Sequence, residues 1–409
     1  MKLGIDLVSI SRLERLIKNS SFTSKIFTEE ERAYFSKKGV KSAAASWAAK
    51  EAVAKALGVG LFKIGFKSVS LLHRESGKPI LFFSEEFIEK FGNFKSEISI
   101  SHEGDFCVAV AALENSSKKI PFDFFEFFKR DPDTNKGDYG KLGIIAGSKG
   151  MTGAPYFSTM GAMRTGAGVC FLVAPSDALT VLQTKISEPI FIFTKSKEHF
   201  TVEALGEVIN HSKQYDAVVL GPGLSEKEGV SAFVSAFIER CEKPLLIDAD
   251  GLNSIKDTAL LKRKSETVIT PHPREFSRLS GRTVSEIQAN RKELALSFAK
   301  EYGVTVVLKG NRTIVASPLG EVYENMTGNA GMATAGTGDV LSGMIGALLA
   351  KRCEAFLAAK LGVFLHGLAG DFAAQKKGET SLIASDLIEE LPAAIMSVSK
   401  SPDLKEEEL

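Results

Sequence analysis

The sequence lacks several features that would assign it to a particular class of protein. Its four cysteines lie far apart among 409 residues with no C-x-x-C pair, which argues against a thiol metal site or a disulfide framework and fits a reducing compartment. The net charge of +1 provides no global attraction to nucleic acid or to an anionic membrane. No apolar run approaches about 20 residues, and the N-terminal apolar stretch is too short for a signal peptide. We therefore expect a cytoplasmic protein that binds neither nucleic acid nor membrane.

A change of pattern near residues 114–135 divides the chain. Before it, "SEISISHEGDFCVAVAAL" predicts a pair of strands, whereas "ENSSKKIPFDFFEFFKRDPDTNKGDYGK" follows no strand or helix period. Its phenylalanines would promote aggregation if exposed, so we expect a short helix that docks on one of the domains. We predict a domain at residues 1–114, a linker at 115–134 and a second domain at 135–400. The phenylalanines are Phe122, Phe124, Phe125, Phe127 and Phe128.

In the second domain, short apolar runs alternate with amphipathic stretches. Runs such as "KLGIIAG", "DAVVLGPG" and "KPLLIDAD" end in Gly, Pro or Asp and are typical of strands buried on both faces. Their alternation with helices predicts a doubly wound α/β domain with a parallel sheet. Ligands bind beyond the carboxyl ends of the strands in such folds. Those ends carry Gly147, Gly150, Gly221, Gly223, Asp248, Asp250, His272 and Lys309.

The stretch "NAGMATAGTGDVLSG" precedes an apolar run, which predicts that "AGTGD" enters a helix. The free N–H groups and the positive dipole end of a first helical turn form an anion site, so Gly336, Thr337 and Gly338 are predicted to bind a phosphate. Asp339 would repel that phosphate unless it takes a proton from an attacking hydroxyl, and we predict that it is a general base. Two simpler interpretations remain open. Asp339 could be a helix N-cap, and Lys309, which could reach nucleotide phosphates, could be a solvated strand-end lysine.

Over about residues 130–400 these motifs, in this order, resemble the NAD(P)H-hydrate dehydratases of the ribokinase-like superfamily. The segments are "KGDYGKLGIIAGSKGMTGAPYFSTMGAMRTGAG", "LGPGL", "IDADGLN", "ITPHPREF", "VLKGNRT" and "NAGMATAGTGDVLSGMIGALLA". The resemblance implies that ADP or ATP phosphorylates the ring hydroxyl of hydrated NADH or NADPH, after which phosphate leaves and the dihydropyridine returns. Asp339 would deprotonate the hydroxyl, and Gly336 to Gly338 would hold the transferring phosphoryl group.

The resemblance also implies the binding residues of this domain. A small-molecule kinase for a vitamin or a sugar remains an alternative, because the same fold and "GTGD" sequence serve such enzymes. We interpret His366, in the apolar run "GVFLHGLAG", as a hydrogen-bonded core histidine. The implied hydrate site contains Ala154, Gly223, His272, Glu275 and Asp339. The implied nucleotide site contains Lys309, Gly310, Asn311, Arg312, Thr313, Asn329, Ala330, Gly331, Met332, Ala333, Thr334 and Ala335.

The N-terminal segment carries a second resemblance. "GIDLVSISRLERL" begins as a strand and becomes a helix with Asp6 near the switch, and "ASWAAKEAVAKALGVG" predicts a helix that ends at Gly58. Glu51 and Lys55 share one face of this helix, a spacing that is also common in surface ion pairs. With "FTEEERAYF", "SGKPIL" and "SISHEGDFCVAVA", these segments resemble holo-acyl-carrier-protein synthases over residues 1 to about 114. This resemblance implies a small α+β domain that transfers phosphopantetheine from coenzyme A to a serine of apo-acyl carrier protein and requires Mg²⁺.

The second resemblance implies roles for several polar residues and a quaternary structure. Because Mg²⁺ binds through one or two carboxylates, Asp6 and Glu51 are the predicted metal ligands. A trimer-based homo-oligomer is implied, and a separate epimerase is expected because the synthase-like segment stands where many hydrate dehydratases carry one. A non-catalytic sensor that binds nucleotides and carrier protein remains a second alternative. The predicted coenzyme A site contains Lys50, Lys55, Gly58, Gly60 and His102, with Glu51 and His102 also assigned to catalysis, and Arg12 and Arg15 would bind the acidic carrier protein.

Overall fold

The computed structural model describes residues 2–73, 77–91, 94–115, 128, 130 and 132–399. Within it the chain forms two compact units, Met1–Pro121 and Phe122–Leu409. The predicted linker helix cannot be compared with the structure, because Phe122, Phe124, Phe125 and Phe127 lie outside the described residues. Each unit is described by itself below.

In the first unit, an antiparallel sheet packs on a long helix. Strands β1 (Lys2–Ser9), β5 (Phe106–Asn115) and β4 (Phe94–Glu103) lie side by side in the order β1-β5-β4, which confirms the predicted strand pair. Helix α4 (Val40–Ala56) packs against β1 and β5. A Cβ on Gly4 would collide with the carbonyl of Ala52, so glycine and alanine allow the helix to lie close to the sheet. The other elements are α1 (Ile10–Ile17), α2 (Ser20–Ile26), α3 (Glu29–Lys38), α5 (Leu61–Ile64), β2 (Val69–His73), β3 (Pro79–Phe83) and α6 (Glu85–Phe91).

The opposite face of β1 is apolar and open. Leu3, Ile5 and Leu7 alternate along the strand and are 61%, 58% and 62% exposed. In an antiparallel sheet with one solvated face, polar side chains normally occupy these positions. The composition of this face therefore needs an explanation beyond the fold of one chain.

The described part of the second unit contains a nine-stranded, mostly parallel sheet. Its strand order is β14-β13-β12-β11-β10-β9-β6-β7-β8, in which β6 to β12 are parallel and β13 and β14 are antiparallel at one edge. The predicted parallel sheet is confirmed, whereas β8, β13 and β14 were not predicted. The strands are β6 (Lys141–Ile145), β7 (Val169–Ala174), β8 (Ile190–Phe193), β9 (Ala217–Leu220), β10 (Leu245–Ile247), β11 (Thr267–Ile269), β12 (Thr305–Leu308), β13 (Ile314–Ala316) and β14 (Val322–Glu324).

Helices connect and cover these strands. Two of them, α7 and α15, pack against each other through glycines: a Cβ on Gly161 would collide with the carbonyl of Val340, and one on Gly343 with the carbonyl of Ser158. The helices are α7 (Gly153–Arg164), α8 (Ser176–Leu182), α9 (Leu205–Ser212), α10 (Val230–Arg240), α11 (Asp250–Asn253), α12 (Pro273–Ser280), α13 (Val284–Ala289), α14 (Arg291–Tyr302), α15 (Thr337–Ala350), α16 (Ala355–Lys377) and α17 (Ala384–Ser399).

Helix α16 is long and apolar enough to cross a membrane by length and composition alone. However, 72% of its most apolar window is buried inside the protein, and the helix packs against α15 and α17. These contacts are those of a core helix, and its residues Val363, His366 and Gly367 form one wall of the cavity described next.

Candidate functional site

The glycine-rich stretch enters helix α15 at the predicted position. The helix begins at Thr337, and Gly336 is its N-cap with a left-handed φ of +93°, a conformation that favours glycine. The Thr337 hydroxyl donates hydrogen bonds to the carbonyls of Met332 and Thr334, both at 3.0 Å, and so fixes the preceding loop. Asp339 is the third residue of the helix and not its N-cap, so the N-cap interpretation is wrong.

The Asp339 carboxyl group has an unusual environment. Burial, the largest cause, together with the negative charges of Asp248 and Asp250 raises its pKa to about 7 against the opposing effect of the Lys309 ammonium. Among the residues that the structure describes, Asp339 has no hydrogen-bond or ion-pair partner. A carboxylate with a pKa near the working pH and no partner is well suited to accept a proton.

Lys309 belongs to a buried ion pair. Its Nζ lies 2.7 Å from Oδ1 of Asp248, whose side chain is 1% exposed, and the Ser342 hydroxyl donates to the other carboxylate oxygen. Burial by itself raises the pKa of Asp248, but the Lys309 charge and the hydrogen bonds outweigh it and hold that pKa below its usual range. Nζ also lies 3.5 Å from the position of a Cβ on Gly338. Lys309 is therefore a fixed cation beside the first turn of α15, and the interpretation as a solvated lysine is wrong.

A cavity of about 630 Å³ extends from this helix end. Asp371 holds one edge of it: its carboxylate accepts from the Gly328 N–H at 3.0 Å and from the Asn329 side chain at 3.2 Å. Gly331, Thr334 and Ala335 do not line the cavity. The predicted nucleotide residues that line it are Lys309, Gly310, Asn311, Arg312, Thr313, Asn329, Ala330, Met332 and Ala333, joined by Thr337 and Gly338 and by the unpredicted Asn325, Thr327, Gly328, Leu341, Val363, His366, Gly367 and Glu379.

His366 has a more exposed position than the sequence suggested. Its Nε2 lies 2.8 Å from the Thr337 carbonyl oxygen, so it has the expected partner, but its ring also forms part of the cavity wall. Burial lowers the pKa of His366 to about 4, and the ring therefore donates to the carbonyl as a neutral imidazole. The sequence feature that could have indicated a cavity-lining residue here is a single histidine within an otherwise apolar run.

The residues predicted to face the dinucleotide come from two separate places. Ala154 and Gly223 are adjacent, since a Cβ on Gly223 would lie 3.0 Å from that of Ala154, and the Ser148 hydroxyl donates to the Gly223 carbonyl at 2.9 Å. His272 is the N-cap of α12, where its Nδ1 accepts from the backbone of the next turn. The prediction for Glu275 needs correction: its side chain is 5% exposed, and its Oε2 accepts from the His272 N–H at 2.7 Å, which closes a capping box.

In the first unit, Asp6 and Glu51 line one cavity of about 260 Å³, together with Arg12 and Trp47. Burial raises the pKa of Glu51, and the nearby Asp6 charge raises it further. Lys55 reaches Asp6 with an Nζ–Oδ1 distance of 2.7 Å. Asp6 lies within β1 and not at the strand-to-helix switch, which falls at Ser9. Within the described part of the chain, no group of three or more His, Cys, Asp or Glu side chains could hold a metal ion.

The prediction that Lys50 binds coenzyme A is wrong. Its side chain is fully buried, with Nζ 2.9 Å from Oε2 of the equally buried Glu31 and 2.9 Å from the Phe66 carbonyl oxygen. The carbonyl of Val69 is a further acceptor. All of these partners lie in the interior, so Lys50 cannot reach a ligand at the surface.

The remaining predicted residues of the first unit lie at its surface. His102 is exposed near the end of β4, where its Nε2 lies 3.3 Å from the Lys41 carbonyl oxygen, and it does not line the cavity of Asp6 and Glu51. Gly58 and Gly60 follow α4 with open space where a Cβ would be. Arg12 and Arg15 are exposed on α1. The structure thus gathers Asp6, Glu51, Lys55 and Arg12 but leaves His102 apart from them.

Two family models match the chain. Residues 142–393, more than half of the chain, match the model described as NAD(P)H-hydrate dehydratase. The chain belongs to the NAD(P)H-hydrate dehydratase family. In this member, residues 2–111 match a second model, the 4′-phosphopantetheinyl transferase superfamily, so both resemblances found in the sequence are confirmed.

Relatives of the dehydratase unit include curated proteins and solved structures. The bifunctional NAD(P)H-hydrate repair enzyme Nnr of Thermofilum pendens is 38% identical over 293 residues, which cover 70% of this chain and 56% of that protein. The ADP-dependent (S)-NAD(P)H-hydrate dehydratase of Neisseria meningitidis is 37% identical over 269 residues, 64% of this chain and 86% of that protein. The chain thus spans about half the length of the bifunctional relatives it matches.

The fold of this dehydratase unit is also known from crystals. The ADP/ATP-dependent NAD(P)H-hydrate dehydratase from Bacillus subtilis, co-crystallised with ATP and Mg²⁺, matches with a TM-score of 0.59 and 30% identity over 66% of this chain and 94% of that chain. A ribokinase-like superfamily protein from Enterococcus faecalis matches with a TM-score of 0.57 and 25% identity over 66% of this chain and 92% of that chain. The predicted ribokinase-like fold class is therefore confirmed.

Proposed function

We propose that the second unit dehydrates the (6S) hydrate of NADH or NADPH at the expense of ADP or ATP. The observation that carries this proposal is an unpaired carboxylate, Asp339, with a pKa of about 7 beside the first turn of α15 and the fixed Lys309 ammonium. A base in the same helical turn as an anion site, with a fixed cation beside that turn, supplies the parts that phosphoryl transfer to a hydroxyl requires. The substrate class is that of the relatives described above.

The reaction would proceed in two steps. In the first step the oxygen of the ring hydroxyl attacks the terminal phosphorus while Asp339 takes the hydroxyl proton. The bond between that phosphorus and the leaving AMP or ADP breaks. The first-turn N–H groups at Gly336 to Gly338 and Lys309 balance the charge of the transferring group. In the second step the ring C–O bond breaks with loss of phosphate, and the neighbouring ring carbon gives up a proton. The ring double bond, and with it NADH or NADPH, is thereby restored.

The direct test supplies hydrated NADH with ADP or ATP and follows absorbance at the dihydropyridine band. We expect absorbance to return with at least one nucleotide, and Asp339→Asn to lower turnover by about 10² to 10⁴ while nucleotide still binds. The matched control is Asp257→Asn, at an exposed cap where asparagine serves equally well. A stable phosphorylated product without returning absorbance would favour the small-molecule kinase instead.

We propose that the first unit transfers phosphopantetheine from coenzyme A to acyl carrier protein. Asp6 and Glu51 suit Mg²⁺ because they are carboxylates that line one cavity, and a cation between them would relieve the repulsion that raises the pKa of Glu51. When bound, Mg²⁺ would neutralise charge on the diphosphate of coenzyme A. Lys55 adds a cation beside Asp6, and Arg12 and Arg15 offer the acidic carrier protein a basic helix face.

The test of carrier-protein docking is the pair Arg12→Glu and Arg15→Glu. It should weaken binding of apo-acyl carrier protein and reduce its salt dependence, while coenzyme A binding changes little. Equal loss of coenzyme A binding would assign these arginines to the active site or to the fold. A non-catalytic sensor predicts carrier-protein binding without any transfer of radiolabelled phosphopantetheine.

We further propose that the first unit assembles with copies of itself through the apolar face of β1. Leu3, Ile5 and Leu7 supply a surface that a monomer has no reason to keep exposed, and the synthase resemblance implies trimers. Light scattering should give a multiple of the mass of 44.1 kDa. Ile5→Lys should reduce the mass to that of one chain, and an oligomer that survives this change would contradict the proposed interface.

A further inference from the structure

Asp248 joins three elements behind Lys309, which itself lines the nucleotide cavity. It follows β10 and accepts hydrogen bonds from Lys309 at the end of β12 and from Ser342 in α15. Ser342 lies almost one turn after Asp339 in the same helix. Asp248 is therefore anchored to the helix of the base and to the strand of the lysine at once.

Three carboxylates surround the Lys309 ammonium, and only one of them forms an ion pair with it. Asp248, Glu275 and Asp339 all act on its charge, but Nζ is bonded to Asp248. The carboxylate of Glu275 already accepts a hydrogen bond from the His272 N–H in the capping box. Asp339 has no partner in the described part of the chain, although a flexible lysine beside an unpaired carboxylate would normally bind it.

We propose that Asp248 is a positioning residue that holds the Lys309 ammonium away from Asp339 and so keeps the base unpaired. This inference rests on the proposed dehydratase function and adds a residue to it. Asp248 touches neither the nucleotide cavity nor the reacting atoms; it acts through Lys309. With Asp248 in place, Lys309 stays beside Gly338 and the phosphate position, while both oxygens of Asp339 remain free to accept a proton.

The charges that face Asp339 agree with this arrangement. Asp248 and Asp250 raise the pKa of the Asp339 carboxyl and Lys309 lowers it, with burial as the largest contribution. His366 is neutral, because burial lowers its pKa to about 4. If Asp248 were neutral, Lys309 could pair with Asp339, and the pKa of Asp339 would fall because of both the lost repulsion and the new ion pair.

The experiment measures the affinity for ADP as a function of pH by calorimetry, which does not depend on turnover. Deprotonation of Asp339 places a charge beside the bound phosphate and weakens binding, so the affinity has an inflection at the pKa of Asp339. The ADP affinity of each protein is compared at every pH with that of the same protein carrying Asp339→Asn. The ionisation of ADP affects both affinities equally and cancels in their ratio. In Asp248→Asn we expect the inflection to move down by at least about one unit. The acid limb of the rate profile should move by the same amount.

Adding Lys309→Met separates the proposed re-pairing from a simple loss of charge. If Lys309 pairs with Asp339 only when Asp248 is neutral, Lys309→Met should raise the inflection by much more in the Asp248→Asn background than in the original protein. Equal effects in the two backgrounds, or an inflection that Asp248→Asn leaves in place, would overturn the proposal.

A milder variant keeps the test decisive if Asp248→Asn does not fold. Ser342→Ala removes the hydrogen bond to Asp248, and with it a weaker one to the Gly338 carbonyl at 3.0 Å, without changing any charge, and it should move the inflection in the same direction by a smaller amount. An inflection that moves up or stays in place in Ser342→Ala would contradict the proposal. An original protein that binds ADP with this inflection but never returns NADH would refute the dehydratase function while leaving the positioning role standing.

Discussion

Asp339→Asn should make the second unit more stable as well as inactive. The folded-state pKa of Asp339 is about 7, whereas its ordinary value is 3.8. Because folding raises the pKa of this acid, the unfolded chain loses the proton first. The ionisation of Asp339 therefore lowers the free energy of unfolding of the second unit. This loss is absent below the unfolded-state pKa, grows as pH rises to about 7 and is constant above it. Asparagine removes this pH-dependent cost, since it carries no charge in either state.

The shift sets the size of the effect. A pKa raised by about three units corresponds to about 4 kcal/mol at about 1.36 kcal/mol per unit, and this is an upper bound because the side chain is partly exposed to solvent. We expect Asp339→Asn to raise the free energy of unfolding by about 2 to 4 kcal/mol near about pH 8, and by only about 1 kcal/mol near about pH 5. The difference between the two pH values is the signature of the carboxylate, because a packing effect of asparagine would be independent of pH.

Calorimetric unfolding at both pH values measures this prediction, and the chain supplies its own control. Trp47, the single tryptophan, lies in the first unit and reports on that unit by fluorescence. The unfolding transition of the first unit, followed by this fluorescence, should be unchanged by a substitution in the core of the second unit. A variant that is less stable than the original at about pH 8, or that gains equally at both pH values, would refute the assignment of a raised pKa to Asp339.

Three further predictions concern packing and the first unit. Lys50→Met should lower the stability of the first unit by about 3 to 5 kcal/mol because the buried Glu31 is left with two backbone N–H donors but no counter-charge, and adding Glu31→Gln should recover part of the loss in urea unfolding followed at the tryptophan. Glu51→Gln should abolish phosphopantetheine transfer and leave hydrate dehydration intact in the same preparation; unchanged transfer would remove Glu51 from the metal site. Gly343→Ala should lower the free energy of unfolding of the second unit by about 1 to 3 kcal/mol, because the new methyl group meets a carbonyl of α7. The control is Gly206→Ala, where the methyl group meets open space, and thermal melts should show that it is neutral or slightly stabilising.

The main parts of the second unit were predictable from local sequence. Apolar runs ending in Gly, Pro or Asp identified six of the seven parallel strands, and the glycines before Asp339 indicated the start of its helix at Thr337. Both signals are local, since they depend on the period of side chains and on the conformations that glycine allows. The edge strands β8 and β14, and β13 next to β14, were not predicted from the sequence.

Side-chain partners were less predictable, because they depend on residues distant in sequence. Lys50 and Glu51 are neighbours on one helix, yet one is buried against Glu31 and the other faces a cavity, and only the packing of the first unit separates them. Asp248 was noted as a strand end, but its pairing with Lys309 spans 61 positions. The role of His366 likewise depends on contact between two helices.

The glycine contacts between α7 and α15 restrict how the second unit can move during a reaction cycle. Backbone meets backbone at Gly161 and Gly343, so neither helix can slide along the other without a collision. Ala154 lies in the first turn of α7 and Asp339 in the first turn of α15. The distance between Ala154 and Asp339 is thus fixed by the packing of these two helices. Entry of a dinucleotide and release of a product therefore cannot be accompanied by a sliding of α7 along α15.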